Sequence, residues 1–145
     1  MKIREMEYVP ERTTEILAKG TINYYNYFVI SYGTHPCCYV ELPAGHKLYG
    51  LTYIDIEENY QIDVHGGFTY SCDSLLLKDN TWILGWDYAH LGDYYCANYS
   101  SDISKSHRWT TVEMIKECIE VIKQLEKINK EVNNNENNEN NWFIK

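Results

Sequence analysis

Residues 111–132 constrain the fold most. Ile115, Cys118, Ile119, Ile122, Leu125 and Val132 recur at helical spacing, and Lys116, Glu117, Glu120, Lys123, Lys127 and Lys130 lie mostly off that stripe. This is the pattern of an amphipathic helix with one apolar face. Thr110 stands three residues before Glu113, the spacing of a capping box that opens a helix. The stripe is too short for a coiled coil, although it would serve as a dimer seam. Its simplest partner is a sheet in the same chain.

The first two thirds of the chain are rich in the residues that build one. Residues 22–32 are dense in aromatic and β-branched side chains and read as one strand or a tight hairpin. Residues 37–42 read as a strand closed by Pro43-Ala44-Gly45, and a polar connection follows to Tyr60. Residues 60–65 alternate as a half-buried strand does. Gly66-Gly67 breaks that strand, and Phe68–Cys72 resumes it. Asp79-Asn80 is a turn, and Thr81–Asp87 is the most apolar strand, expected near the centre of the sheet. Ahead of all these, Tyr8-Val9-Pro10 is an extended arm, and Thr13–Lys19 reads as a short helix stopped by Gly20. The expected fold class is α+β: an antiparallel sheet of four to six strands packed by one long C-terminal amphipathic helix. Residues 1–132 form a single domain. Residues 133–145 form an Asn-rich tail, read as flexible because it cannot bury apolar area. The tail ends in Trp142-Phe143-Ile144, which either docks on this domain or a neighbouring subunit or has no role.

Charge narrows the partners. The 145-residue chain has a net charge of −8. Residues 21–100 carry only Lys47 and Lys78 against nine carboxylates, a net of −7. That segment has no basic stripe for a long nucleic acid. No apolar run is long enough to span a membrane. The opening Met1–Glu7 has no apolar stretch of signal-peptide type, so a cytoplasmic location is expected. The five cysteines, Cys37, Cys38, Cys72, Cys96 and Cys118, are odd in number and contain no C-x-x-C pair; buried reduced thiols are expected. Cys37 near His35 is a weak candidate for a nucleophile pair.

Four of the five histidines fall within residues 35–90, as His35-Pro36-Cys37, Gly45-His46, His65-Gly66-Gly67 and Asp87-Tyr88-Ala89-His90-Leu91-Gly92-Asp93. Asp87, His90 and Asp93 share one face if that segment turns helically. Glycine beside His65 lets a ligand or another chain segment come close. Two chemistries use such a set. His46, His65, Asp87, His90 and Asp93 can ligate a divalent metal that activates water. They can equally line a pocket for a small polar ligand, with tyrosine and tryptophan rings, Tyr70 and Trp86 among them, as stacking faces. The plain alternative for any one histidine is a fixed turn. No phosphate loop, dinucleotide fingerprint or nucleophile elbow is present, and no motif names a cofactor.

The motif series His35-Pro36-Cys37, Tyr39-Val40, Gly45-His46, Tyr49-Gly50, Val64-His65-Gly66-Gly67, Thr69-Tyr70, Trp82, Gly85, Asp87, Ala89-His90 and Gly92-Asp93 resembles a family of small phage-encoded proteins. The likeness covers roughly residues 34–128, with Trp109 and residues 111–128 closing it; the N-terminal arm and the tail lie outside it. Trp86 and Tyr88 stand where smaller or phenylalanine-like residues are usual. The resemblance supplies no activity. It implies a phage accessory protein acting in the host-cell cytoplasm, and by analogy counter-defence. The first expectation is therefore binding of a nucleotide-type host immune signal by His46, His65, Asp87, His90, Asp93, Trp86 and Tyr70, in a homo-oligomer. The scarcity of arginine in residues 21–100 weighs against it. The alternatives are a metal-dependent hydrolase using the same residues and an acidic inhibitor of a defence nuclease.

Overall fold

The computed structural model describes residues 2–11, 13–72, 81–96 and 105–143, with side chains to Glu131 in the last stretch. Its elements are β1 (Glu15–Ile22), β2 (Tyr25–Ser31), β3 (Pro36–Leu42), α1 (Tyr53–Asn59), β4 (Tyr70–Cys72), β5 (Trp82–Asp87) and α2 (Thr111–Phe143). The strands form one antiparallel sheet in the order β1-β2-β3-β5-β4. The α+β expectation of a four- to six-stranded sheet carrying a closing helix is met, with five strands among the described residues. The apolar β5 is interior, between β3 and β4.

The helix lies on one sheet face. Leu17, Val29, Cys38, Val40, Leu84 and Trp86 bury there against Met114, Cys118, Val121, Ile122 and Leu125. The buried stripe is turned slightly from the one read in the sequence. Met114 and Val121 are fully buried, whereas Ile115 and Ile119 sit at the flank. A smaller core of Phe28, Ile30, Cys37, Tyr39 and Ile83 lies on the other face. The capping box forms as its spacing predicts: Thr110 Oγ1 accepts from Glu113 N at 3.3 Å, and Glu113 Oε1 accepts from Thr110 N at 3.0 Å. The N-terminal arm adds to this start, because Glu5 Oε2 accepts from Thr111 N at 2.7 Å. The α2 backbone continues through the Asn-rich stretch to Phe143. The turn expected at Asp79-Asn80 lies outside the described residues.

Two local readings are corrected. Residues 13–19 are not a helix. Glu15–Ile22 is an edge strand that pairs with β2, with a register shift at Leu17. Gly20, read as a helix stop, faces the Tyr27 ring, which a Cβ at that position would overlap. Residues 60–65 are not a strand either. Ile62 and Val64 turn inward, but no strand among the described residues pairs with the segment. Its backbone is hooked to α2 by side chains. Asp63 N donates to Gln124 Oε1 at 2.7 Å, Gln124 Nε2 returns a bond to Asp63 O at 2.8 Å, and His65 N donates to Glu117 Oε1 at 2.8 Å. Half-burial alone gives the alternation; a sheet partner is not required. The polar connection before it holds α1, started by Thr52 Oγ1 accepting from Asp55 N at 3.2 Å.

Candidate functional site

At the C-terminal end of β5 three pieces of chain meet: the loop after β5, the hooked segment ending at Gly66, and residues 105–110 ahead of α2. Backbone bonds join the first and third, from His107 N to Gly92 O at 2.7 Å and from Tyr94 N to His107 O at 2.9 Å. Asp93 lies at the junction and is 3% exposed. Its Oδ2 accepts from His65 Nε2 at 2.8 Å and His90 N at 3.0 Å, and its Oδ1 accepts from Trp109 Nε1 at 2.7 Å. Burying a carboxylate is costly unless donors surround it, and here three do.

This network sets the state of His65. An ionised carboxylate only accepts, so the proton of neutral His65 sits on Nε2 and the lone pair on Nδ1. Nδ1 makes no hydrogen bond among the described residues, and the side chain is 23% exposed. The ring is stacked on Tyr88, with centroids 4.6 Å apart and planes 11° apart, and lies edge-on to Trp109 at 4.9 Å. His90 is 5.8 Å away from it, centroid to centroid. Asp87 accepts from Ala89 N at 3.1 Å and from Thr69 Oγ1 at 3.2 Å. His90 Nε2 lies 3.1 Å from Asp87 Oδ1 but out of line for a hydrogen bond, which leaves that buried nitrogen unsatisfied. Gly66 explains the close packing. It has φ +69°, and a Cβ there would overlap the His90 ring. Of the two neighbours the sequence allowed, a ligand or another chain segment, the glycine here admits an imidazole of this same chain.

His65, Asp87, His90 and Asp93 are brought together. His46, Trp86 and Tyr70 are not. His46 is buried on the middle of α2, where its Nε2 donates to Leu125 O at 3.2 Å and its Nδ1 accepts from Leu48 N at 3.0 Å. Burial holds it below the usual histidine range. Leu125 is eight residues beyond Glu117, about 12 Å along the helix. Trp86 is 1% exposed in the core, its Nε1 bonded to Tyr88 Oη at 3.1 Å, so it offers no free face for stacking. Tyr70 sits on the opposite sheet face, edge-on to Tyr39 at 5.7 Å.

Sequence reading of the site missed His107, Arg108 and Trp109, a basic and aromatic triplet immediately before the helix cap. His107 packs on Trp109 at 4.5 Å and bonds Glu113 Oε2 at 2.8 Å. The Arg108 guanidinium lies 4.0 Å over the Tyr94 ring and 5.9 Å from that of Tyr8. Arg108, Trp109, Thr110, Tyr8 and Glu5 help line a cavity of about 360 Å³. Burial pushes the Tyr8 hydroxyl up to about 12. The nucleophile pair is not assembled. All five cysteines are free, burial and nearby Asp87 push the Cys37 thiol up to about 12, and His35 bonds Thr34 Oγ1 at 3.0 Å. No three His, Cys, Asp or Glu side chains among the described residues are grouped to hold a metal ion. No helix among them is long and apolar enough to cross a membrane. Comparison with protein-family models, curated proteins and solved structures finds no match to the chain.

Proposed function

We propose that this chain is a phage accessory protein that binds a small nucleotide-type molecule, a host immune signal, beside His65, Asp93 and Trp109. One observation carries the reading. A buried carboxylate orders an imidazole and an indole side by side and leaves the outer imidazole nitrogen free to accept a hydrogen bond from a ligand. Aromatic planes with a few fixed polar groups are how bases and sugars are held. Arg108, exposed beside Trp109, supplies the arginine that residues 21–100 lack, a group suited to a phosphate. The counter-defence role rests on the sequence resemblance, and sequestration is the simplest form it takes. Hydrolysis at the same place is the second reading, favoured by one feature: an imidazole with Nε2–H held by a carboxylate presents its other nitrogen as a base.

The test is incubation of the purified chain with a panel of cyclic and linear nucleotides, with and without divalent metal. Small molecules are then identified by mass spectrometry before and after heat release. Sequestration gives intact nucleotide only after heating, and the His65→Ala protein retains at least about tenfold less, the share expected of one hydrogen bond to a charged or well-oriented group. A new product before heating establishes the hydrolase. Neither retention nor turnover removes the nucleotide reading and leaves the protein-inhibitor alternative.

A further inference from the structure

The other end of the sheet holds a second unspent polar group. Glu41, on β3, is 3% exposed. A one-way ladder of bonds crosses three strands to reach it: Thr21 Oγ1 donates to Asn26 Oδ1 at 2.6 Å, and Asn26 Nδ2 donates to Glu41 Oε1 at 2.9 Å. There the ladder stops. Glu41 Oε2 is buried and accepts no hydrogen bond among the described residues. A buried acceptor without a donor is unfavourable, and more so when it is ionised.

A second, independent irregularity lies beside it. The β1–β2 hairpin turns on Asn23 and Tyr24, whose φ values are +49° and +72°. Asparagine suits this two-residue turn, but the second position usually takes glycine. A tyrosine there is strained, and strain of this kind is concentrated at functional positions. Tyr24 is also 86% exposed, so packing does not account for the choice. Tyr24 and Glu41 line the same cavity of about 520 Å³, together with Leu42, Pro43, Ala44 and Thr81.

We propose that this cavity is a binding site for an organic cation, a guanidinium or primary ammonium, taken between the Glu41 carboxylate and the Tyr24 ring. The cation supplies the donor that Oε2 lacks. Oε2 is closed off from solvent as it stands, so binding requires the carboxylate to rotate about its broad, roughly two-fold terminal torsion, shifting the Asn26 bond as it does so. The tyrosine face contributes cation–π attraction and the apolar wall covers the alkyl stem. The site is separate from the His65 cluster and stands whether or not that cluster binds a nucleotide. The same chemistry serves a free amine or an arginine or lysine side chain of a basic partner.

The experiment is an NMR titration of the full-length chain with n-butylguanidinium, n-butylammonium and, as the neutral control, n-butanol. Both cations are expected to shift the Asn26 side-chain amide and the Tyr24 ring signals saturably, and butanol is not. Glu41→Gln is expected to weaken cation binding by about tenfold or more. Tyr24→Gly keeps the test open if the first variant folds poorly. It is expected to melt a few degrees higher, because the turn is relieved, while binding the cation several-fold more weakly. Absence of cation shifts, equal shifts with butanol, or unchanged affinity in both variants overturns the proposal. A capped Gly-Arg-Gly peptide that binds more tightly than butylguanidinium assigns the site to a partner's side chain. The reverse order assigns it to a free amine.

Discussion

His46 and His65 look alike in sequence, since each adjoins a glycine after a strand-like run, and the fold treats them in opposite ways. His46 spends both ring nitrogens on backbone atoms, Leu125 O and Leu48 N, and is 3% exposed. His65 spends one nitrogen on Asp93 and keeps the other open. The first fastens α2 to the segment after β3; the second ties the segment before Gly66 to the loop after β5. A histidine's role is thus read from the account of its two nitrogens, which no neighbouring glycine reveals.

The comparison breaks most readily at His46. His46→Ala removes a buried ring and strips Leu48 N of its acceptor, so urea unfolding is expected to show a loss of about 2–4 kcal/mol. Nucleotide retention at the other end is expected to persist wherever the variant is folded. Acid sharpens the same point. Folded His46 is held below its ordinary value of 6.5, so the unfolded chain takes up the proton first. Its contribution is complete above pH 6.5 and declines as the pH falls through and below that value. A pH series of unfolding curves should show this decline in the parent chain and lack it in His46→Ala. At the His65 end, Gly66→Ala is expected to cost roughly 1–3 kcal/mol, from positive φ and overlap with the His90 ring. It also moves His90, which NMR signals of the imidazoles report; unmoved signals would count against the close packing. Smallest is Glu113→Ala, expected to cost about 0.5–1 kcal/mol by opening the helix cap. Burial alone would raise Glu113, but bonds from Thr110 and His107 outweigh it and hold the carboxyl below 4.5. The cap therefore weakens with acid in a lower window than His46, and helicity followed by circular dichroism separates the two.

What the sequence made legible follows from how local each signal is. The capping box, the helical stripe and the apolar strand Thr81–Asp87 each declare themselves within a few residues, and all three form. Residues 13–19 do not, because pairing with β2 overrides a weak helical preference. Residues 60–65 carry a true pattern of burial, but burial against a helix leaves the same alternation as burial in a sheet. The cluster of His65, Asp87, His90 and Asp93 was half visible, as charged and imidazole groups around glycines near a strand end. Its third component was not, since Trp109 joins through a contact 16 residues removed from Asp93. His46 was misplaced for the reason given above: its partners are backbone atoms, which carry no signature in the amino-acid string.

The hooks at Gln124 and Glu117 give the His65 end an uncommon kind of adjustability. The backbone that carries the imidazole hangs from a helix by side chains, so residues remote from the ring help set its height. Shortening Glu117 by one methylene would tug the suspended loop without altering a single sheet bond. Amide exchange at Asp63 and His65 should accordingly keep time with the release of these two hooks, ahead of the slower opening of the strands. Variation along one face of α2 can then shift His65 while the scaffold stays still.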